Sequence, residues 1–210
     1  YPGSGTTWTD LSGNGYNFTL TGTYTFESHR GSNCFNFDGG YSDVNCAYRV
    51  GGVSQNIGEQ CTINVIYCSI NNQNFNGCSR IFSCGENNGN NVDFSTYFGL
   101  PSCDESKHGL WRGNQPQGFY VNSQTKSAND EWKLLTYSWT ANSTVKGYVN
   151  GVLESTTTAG SAFNYAGISR MAISMNASLN IEHARARVSC VTMYYRQLTD
   201  SEVQQNFNAM

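Results

Sequence analysis

Charge is what this sequence has least of. Only 13% of the 210 residues are Asp, Glu, Lys or Arg, about half the usual share of ~25%. The formal net charge is −3, so no positive field is available for a nucleic-acid backbone, and nucleic-acid binding is excluded as a function class. Arg185 and Arg187 alternate with alanines at strand spacing and read as two solvated positions. There is no signal peptide and no apolar run long enough to insert into a membrane. Helical periodicity is missing before residue 198, as are coiled-coil heptads, internal repeats and a linker. Tyr1 is expected to be a mature terminus or the edge of an excised domain.

Polarity comes instead from Asn, Ser, Thr, Gly and Gln, and 13% of the chain is aromatic. Short β-prone runs recur between polar turns: 17–26, 61–68, 92–100, 118–122, 132–140, 146–155, 170–175 and 187–195. In "CTINVIYC" Ile63, Val65 and Tyr67 share one face. In the last run Val191, Met193 and Tyr195 share one face, with Cys190, Thr192 and Tyr194 on the other. The segment 132–155 reads as a hairpin turning at "ANST", and "NG" at 150–151 marks a second turn. Many short strands with polar turns predict a sandwich or barrel in one domain over 1–210.

Eight cysteines stand at Cys34, Cys46, Cys61, Cys68, Cys78, Cys84, Cys103 and Cys190. None form a C-x-x-C pair or a Cys/His cluster with zinc spacing. An even count of this kind is expected as disulfides in an oxidising compartment. On the order of a hundred connectivities are open; Cys78–Cys84 and Cys34–Cys46 are the pairs closest in sequence. Sequons at Asn17, Asn142 and Asn176 fit a secreted glycoprotein.

The chain ends differently. Thr199 and Glu202 form a T-x-x-E capping box. Asp200 and Glu202 suit the positive end of a helix dipole, and Val203 and Phe207 share a face. About two turns are expected, too short to be stable without tertiary packing.

Several stretches, taken in order, resemble the laminin-G-like, concanavalin-A-like lectin/glucanase domains. The ending "YYRQLTDSEVQQNF" (194–207) is similar to their closing strand and turn. The opening "YPGSGTTWTDLSGNGYNFTLTG", the strand end "FNFDGGYSDV", the strand "CTINVIY" and the pair "WKLLTYSWT…KGYVNGVL" resemble further family segments. Tyr195 stands where Asn is frequent, and Cys61 and Tyr67 replace aromatic positions. The resemblance implies an all-β jelly-roll sandwich of two antiparallel sheets with a short C-terminal helical turn. It implies that the strand at 61–67 lies beside the closing strand, which brings Cys190 near Cys61 or Cys68 as a bridge. Such a long closed loop contributes about 4–5 kcal/mol in the chain-entropy model. The stretch 68–110 has no counterpart in the pattern and is expected as a Cys-rich loop insertion.

Some enzymes share this sandwich, notably glucanases with an E-x-D-x-x-E strand, but no E-x-D pattern exists here. Glycoside hydrolysis needs two carboxylates across a cleft. The adjacent Asp104 and Glu105 would point to opposite faces of a strand. His29, His108 and His183 are scattered, with no G-x-S-x-G elbow. Catalysis is not expected. "DLSGNG" puts Asp10, Ser12 and Asn14 at alternate positions before Gly15, like the first half of a calcium loop, but Thr21 stands at the twelfth position instead of Glu. Either an Asx-turn or a structural Ca2+ site accounts for it, and Glu86–Asp93 is a second polar loop of that kind. Trp111, Arg112, Asn114 and Tyr120 flank a Gly/Gln/Pro loop and are candidate sugar contacts, an aromatic face with planar hydrogen bonders. Trp8, Trp132 and Trp139 read as structural. The expected function is a secreted, non-catalytic carbohydrate-binding or adhesion module whose partners are glycans or glycoproteins. The alternative is a structural subunit of an extracellular assembly, on a virion surface or in a filament, which self-associates.

Overall fold

A computed structural model describes residues 5–38, 45–51, 57, 59–70, 79–85, 92–98, 107–111, 120–126, 130–159, 170–175 and 183–210; for 92–98, 107–111 and 120–126 it describes the backbone. The strands are β1 (Thr7–Trp8), β2 (Phe18–Thr21), β3 (Thr25–His29), β4 (Ser32–Phe37), β5 (Cys46–Val50), β6 (Gln60–Ser69), β7 (Ser79–Gly85), β8 (Val92–Phe98), β9 (Lys107–Trp111), β10 (Tyr120–Lys126), β11 (Trp132–Thr140), β12 (Thr144–Val149), β13 (Val152–Thr158), β14 (Arg170–Ile173) and β15 (Ala186–Tyr194), followed by helix α1 (Asp200–Asn208). They form two antiparallel sheets. The first runs β1-β2-β5-β14-β7-β8-β9-β10 and the second β13-β12-β11-β6-β15-β4-β3. The jelly-roll expectation is met.

One predicted strand is divided. The run 17–26 becomes β2 in the first sheet and β3 in the second. Gly22 breaks it at φ +81°, a left-handed conformation that glycine adopts without steric cost. The stretch 68–110, expected as a Cys-rich insertion with one strand run at 92–100, contributes β7, β8 and most of β9 to the first sheet, β8 being that run. In β7 and β9 polar residues hid the alternation that marks a strand. The "NG" signal holds: Asn150 and Gly151 both have positive φ, +51° and +79°, the requirement of a type I′ turn between β12 and β13.

The core lies between the sheets. Phe35, Phe37, Ile63, Val65, Tyr67, Phe82, Tyr137 and Trp139 are all buried there. Trp139 satisfies its indole by donating to the Ile57 carbonyl at 3.0 Å, so its area is buried without an orphaned donor. The closing strand β15 pairs with β6, as the resemblance implied. Its inward residues are Ala186 and Val188, then Val191, Met193 and Tyr195. That is a change of phase by one residue. A bulge between Val188 and Cys190 absorbs it.

The bulge also decides the cysteines. Cys190 is opposite Ile66, Arg187 is opposite Cys68, and Cys61 lies in the core beside Ile63. Cys34 and Cys46 sit in different sheets. Cys34, Cys46, Cys61, Cys68 and Cys190 are free thiols, so the expected bridges Cys34–Cys46 and Cys190 to Cys61 or Cys68 are not formed. Cys78 and Cys103 lie outside the described residues. Buried thiols act as small apolar side chains. Burial pushes Cys34 and Cys46 up to about 11 and Cys61 further.

Helix α1 lies on the outer side of the second sheet. Thr199 accepts from the Glu202 amide while the Glu202 carboxylate accepts from the Thr199 amide, completing the predicted box. Leu198 and Val203 pack against Tyr148 and Tyr194. The Tyr148 hydroxyl and Lys146 ammonium each reach Asp200 at 2.7 Å, pinning the helix start to β12. No described helix is long and apolar enough to cross a membrane.

Candidate functional site

Between β1, β2, β7 and β14 of the first sheet and β15 of the second lies a cleft of about 350 Å³. Its floor is core: Phe82, Met171 and Ile173 from below, Val191 and Met193 from β15. Its walls are aromatic, with Trp8, Tyr16, Phe18 and Tyr195, and its rim is the polar turn Asp10–Asn14. Trp8 is both wall and packing element, 4.7 Å from the Phe35 ring. The Arg49 guanidinium covers one face of Tyr16, 4.9 Å from the ring centre. The Tyr16 and Tyr195 hydroxyls share a hydrogen bond, and burial with that bond holds Tyr195 protonated. Leu11, 91% exposed, stands at the lip.

The rim turn is held by its own side chains. Asp10 Oδ1 accepts from the Ser12 amide at 2.9 Å. Its Oδ2 accepts from Ser12 Oγ at 2.8 Å and from the Tyr16 amide at 2.9 Å. Ser12 Oγ in turn accepts from the Asn14 amide group at 2.8 Å. Burial opposes ionisation of Asp10, but the Ser12 and Tyr16 amides outweigh it and hold its carboxyl below the usual range. Both oxygens accept N–H or O–H donors. These are the bonds of an Asx-turn, one of the two readings of the stretch. The loop 86–93 lies almost wholly outside the described residues.

The predicted sugar contacts are placed in part. Trp111 and Tyr120 are register partners on β9 and β10, at the edge of the first sheet. Arg112 and Asn114 fall outside the described residues. Among the sequons, Asn17 and Asn142 are exposed and Asn176 is outside; Asn17 Oδ1 accepts from the Asp10 amide at 2.9 Å and so braces the rim. Trp132 and Trp139 are structural as read, Trp132 donating to the His29 carbonyl at 3.1 Å. The two arginines are not solvated positions. Arg187 is largely buried and donates to Glu27 at 2.6 Å, and Arg185 pairs with Asp38. The sequence reading missed the cleft because its walls come from residues 8 to 195. Only "DLSGNG" hinted at it.

The sequence profile of the concanavalin A-like lectin/glucanases superfamily matches residues 69–204. The chain belongs to that superfamily. The match runs through the stretch that had no counterpart in the motif pattern. Comparison with curated protein sequences gives no match. Among solved structures, the chain is similar to the binding domain of botulinum neurotoxin DC in complex with rat synaptotagmin II, with 15% identity and a TM-score of 0.73 over 99% of this chain and 50% of that one. It is similar to the ligand-binding domain of botulinum neurotoxin serotype D in complex with N-acetylneuraminic acid, with 10% identity and a TM-score of 0.70 over 96% and 48%. It is also similar to the Trypanosoma rangeli sialidase in complex with a difluoro-KDN ligand, with 15% identity and a TM-score of 0.68 over 97% and 31%. The chain spans half or less of each of those chains. At these identities the likeness is one of fold.

Proposed function

We propose that this member of the superfamily is a non-catalytic carbohydrate-binding module of a secreted, extracellular protein, with glycans or glycoproteins as partners and adhesion as the outcome. The observation that carries the reading is the cleft itself. It joins aromatic walls to a polar rim in about 350 Å³, at the small end of the roughly 300–1,000 Å³ of ligand sites. Apolar walls suit the C–H faces of a sugar ring, and the Ser12 and Asn14 side chains at its edge suit its hydroxyls. Among the described residues Asp10 is the one acidic residue lining it, and hydrolysis needs a pair. Two of the similar structures hold sugar acids, which makes sialylated and neutral oligosaccharides the first ligands to test.

The test is calorimetric titration of hits from a glycan array against the parent, Tyr16→Ala and Trp111→Ala. Tyr16→Ala keeps the amide that holds Asp10 and removes the aromatic wall. Saturable binding that falls at least ~10-fold in Tyr16→Ala and persists in Trp111→Ala supports the cleft. Loss in Trp111→Ala alone moves the site to the β9–β10 edge. No glycan signal, with polymers on size exclusion, overturns the module in favour of the structural-subunit alternative.

A further inference from the structure

A second cluster lies on the outer side of the second sheet, away from the cleft. His29 ends β3, Cys68 is near the end of β6, and Asp130 lies just before β11. One donor atom from each, an imidazole nitrogen, a thiol sulfur and a carboxylate oxygen, all lie within 4.8 Å of one another. We infer that His29, Cys68 and Asp130 form a binding site for a divalent transition-metal ion of the zinc class, completed by solvent.

Four observations support it. First, the donor types are those that select zinc, thiolate and imidazole with one carboxylate. Ligand atoms around tetrahedral zinc are about 3.3–3.7 Å apart, so closure needs only small side-chain movements. Second, His29 Nε2 is shielded from solvent and faces Asp130 Oδ1 at 2.7 Å. Imidazole and carboxylate therefore already converge on one point. Third, Asp130 holds a positive φ of +61°, uncommon outside glycine, and its amide donates to the Ser69 carbonyl at 2.9 Å. That link fixes Asp130 next to Cys68. Fourth, the surroundings orient the donors. Arg30 holds Asp130 Oδ2 at 2.7 Å, while Oδ1 faces His29 Nε2 at 2.7 Å and Arg187 Nη1 at 3.6 Å. Arg187 lies beside Cys68, where a guanidinium N–H supports a metal-bound thiolate, and its own charge is met by Glu27. With Asp130 and a thiolate the two ligand charges equal that of the ion. Asp130 is 45% exposed, which leaves room for water as the fourth ligand.

The cobalt(II) ion is the probe, added to the reduced 210-residue chain without chelator. The expected result is one equivalent bound, with tetrahedral visible bands and a thiolate-to-cobalt charge-transfer band, displaced by Zn2+. Cys68→Ser removes the charge-transfer band. His29→Gln and Asp130→Asn each weaken binding at least ~10-fold while circular dichroism stays unchanged. A charge-transfer band that persists in Cys68→Ser, or no tetrahedral spectrum in the folded parent, overturns the inference. The glycan titration reads a different face, so the two proposals fail separately.

Discussion

At the scale of single residues, Glu202 is the most informative titrating group. Arg196 grips its carboxylate through two nitrogens at 2.7 and 2.8 Å, and the Thr199 amide donates to it. The Arg196 bond, then the Thr199 amide, hold its pKa at about 2, below the ordinary 4.5. The folded value is the lower one, so Glu202 stabilises the fold fully above about 4.5, and that contribution is lost as pH falls towards 2. Glu202→Gln is therefore expected to melt below the parent at pH 6, with the gap closing as pH is taken from 5 to 2. A gap constant over that window contradicts the assignment. Thr199→Ala, which removes the other half of the box, is expected to cost about 1 kcal/mol in urea melts. The box was legible because its partners are three residues apart. The Arg196 fork was not, since side-chain direction at a chain bend is set by the packed helix.

At the scale of elements, the Asp10 turn and the β15 bulge show how far pattern goes. "DLSGNG" reads equally as a turn or as half a calcium loop, because both want oxygens at alternate positions. In the fold the Ser12 and Tyr16 amides turn onto the carboxylate, as an Asx-turn requires. Chelation of calcium is expected to leave the melting temperature unchanged, and Asp10→Ala to lower it by unpairing those amides, about 1 kcal/mol. A melting temperature that falls on chelation restores the ion. The face pattern of 191–195 was legible and correct. The phase change before it was not read, because its cause, an extra residue on one strand, exists only against a paired neighbour.

At the scale of the whole molecule, the cysteines report cooperativity. Cys34, Cys46 and Cys61 are at most 1% exposed, and burial keeps their thiols protonated near pH 8. Peptide mapping after labelling is expected to find them unmodified in the folded chain and alkylated across the main urea transition, without reductant. Recovery of Cys61 or Cys190 in a bridged peptide would refute the free-thiol arrangement. Stability that a long disulfide would have added is instead supplied by the β6–β15 ladder and the core beneath it.

The sequence by itself determined the strand-rich architecture, the "NG" turn, the capped end and the superfamily, because those signals are periodic or local. It also determined the low charge that leaves recognition to aromatic and amide groups. Tertiary structure decided the rest. The cleft gathers Trp8, Tyr16, Phe82, Met171 and Tyr195, and the metal cluster gathers His29, Cys68 and Asp130. Each set is brought together by strand order across two sheets, and one residue of register, as at Ser189, sends a side chain to the opposite face.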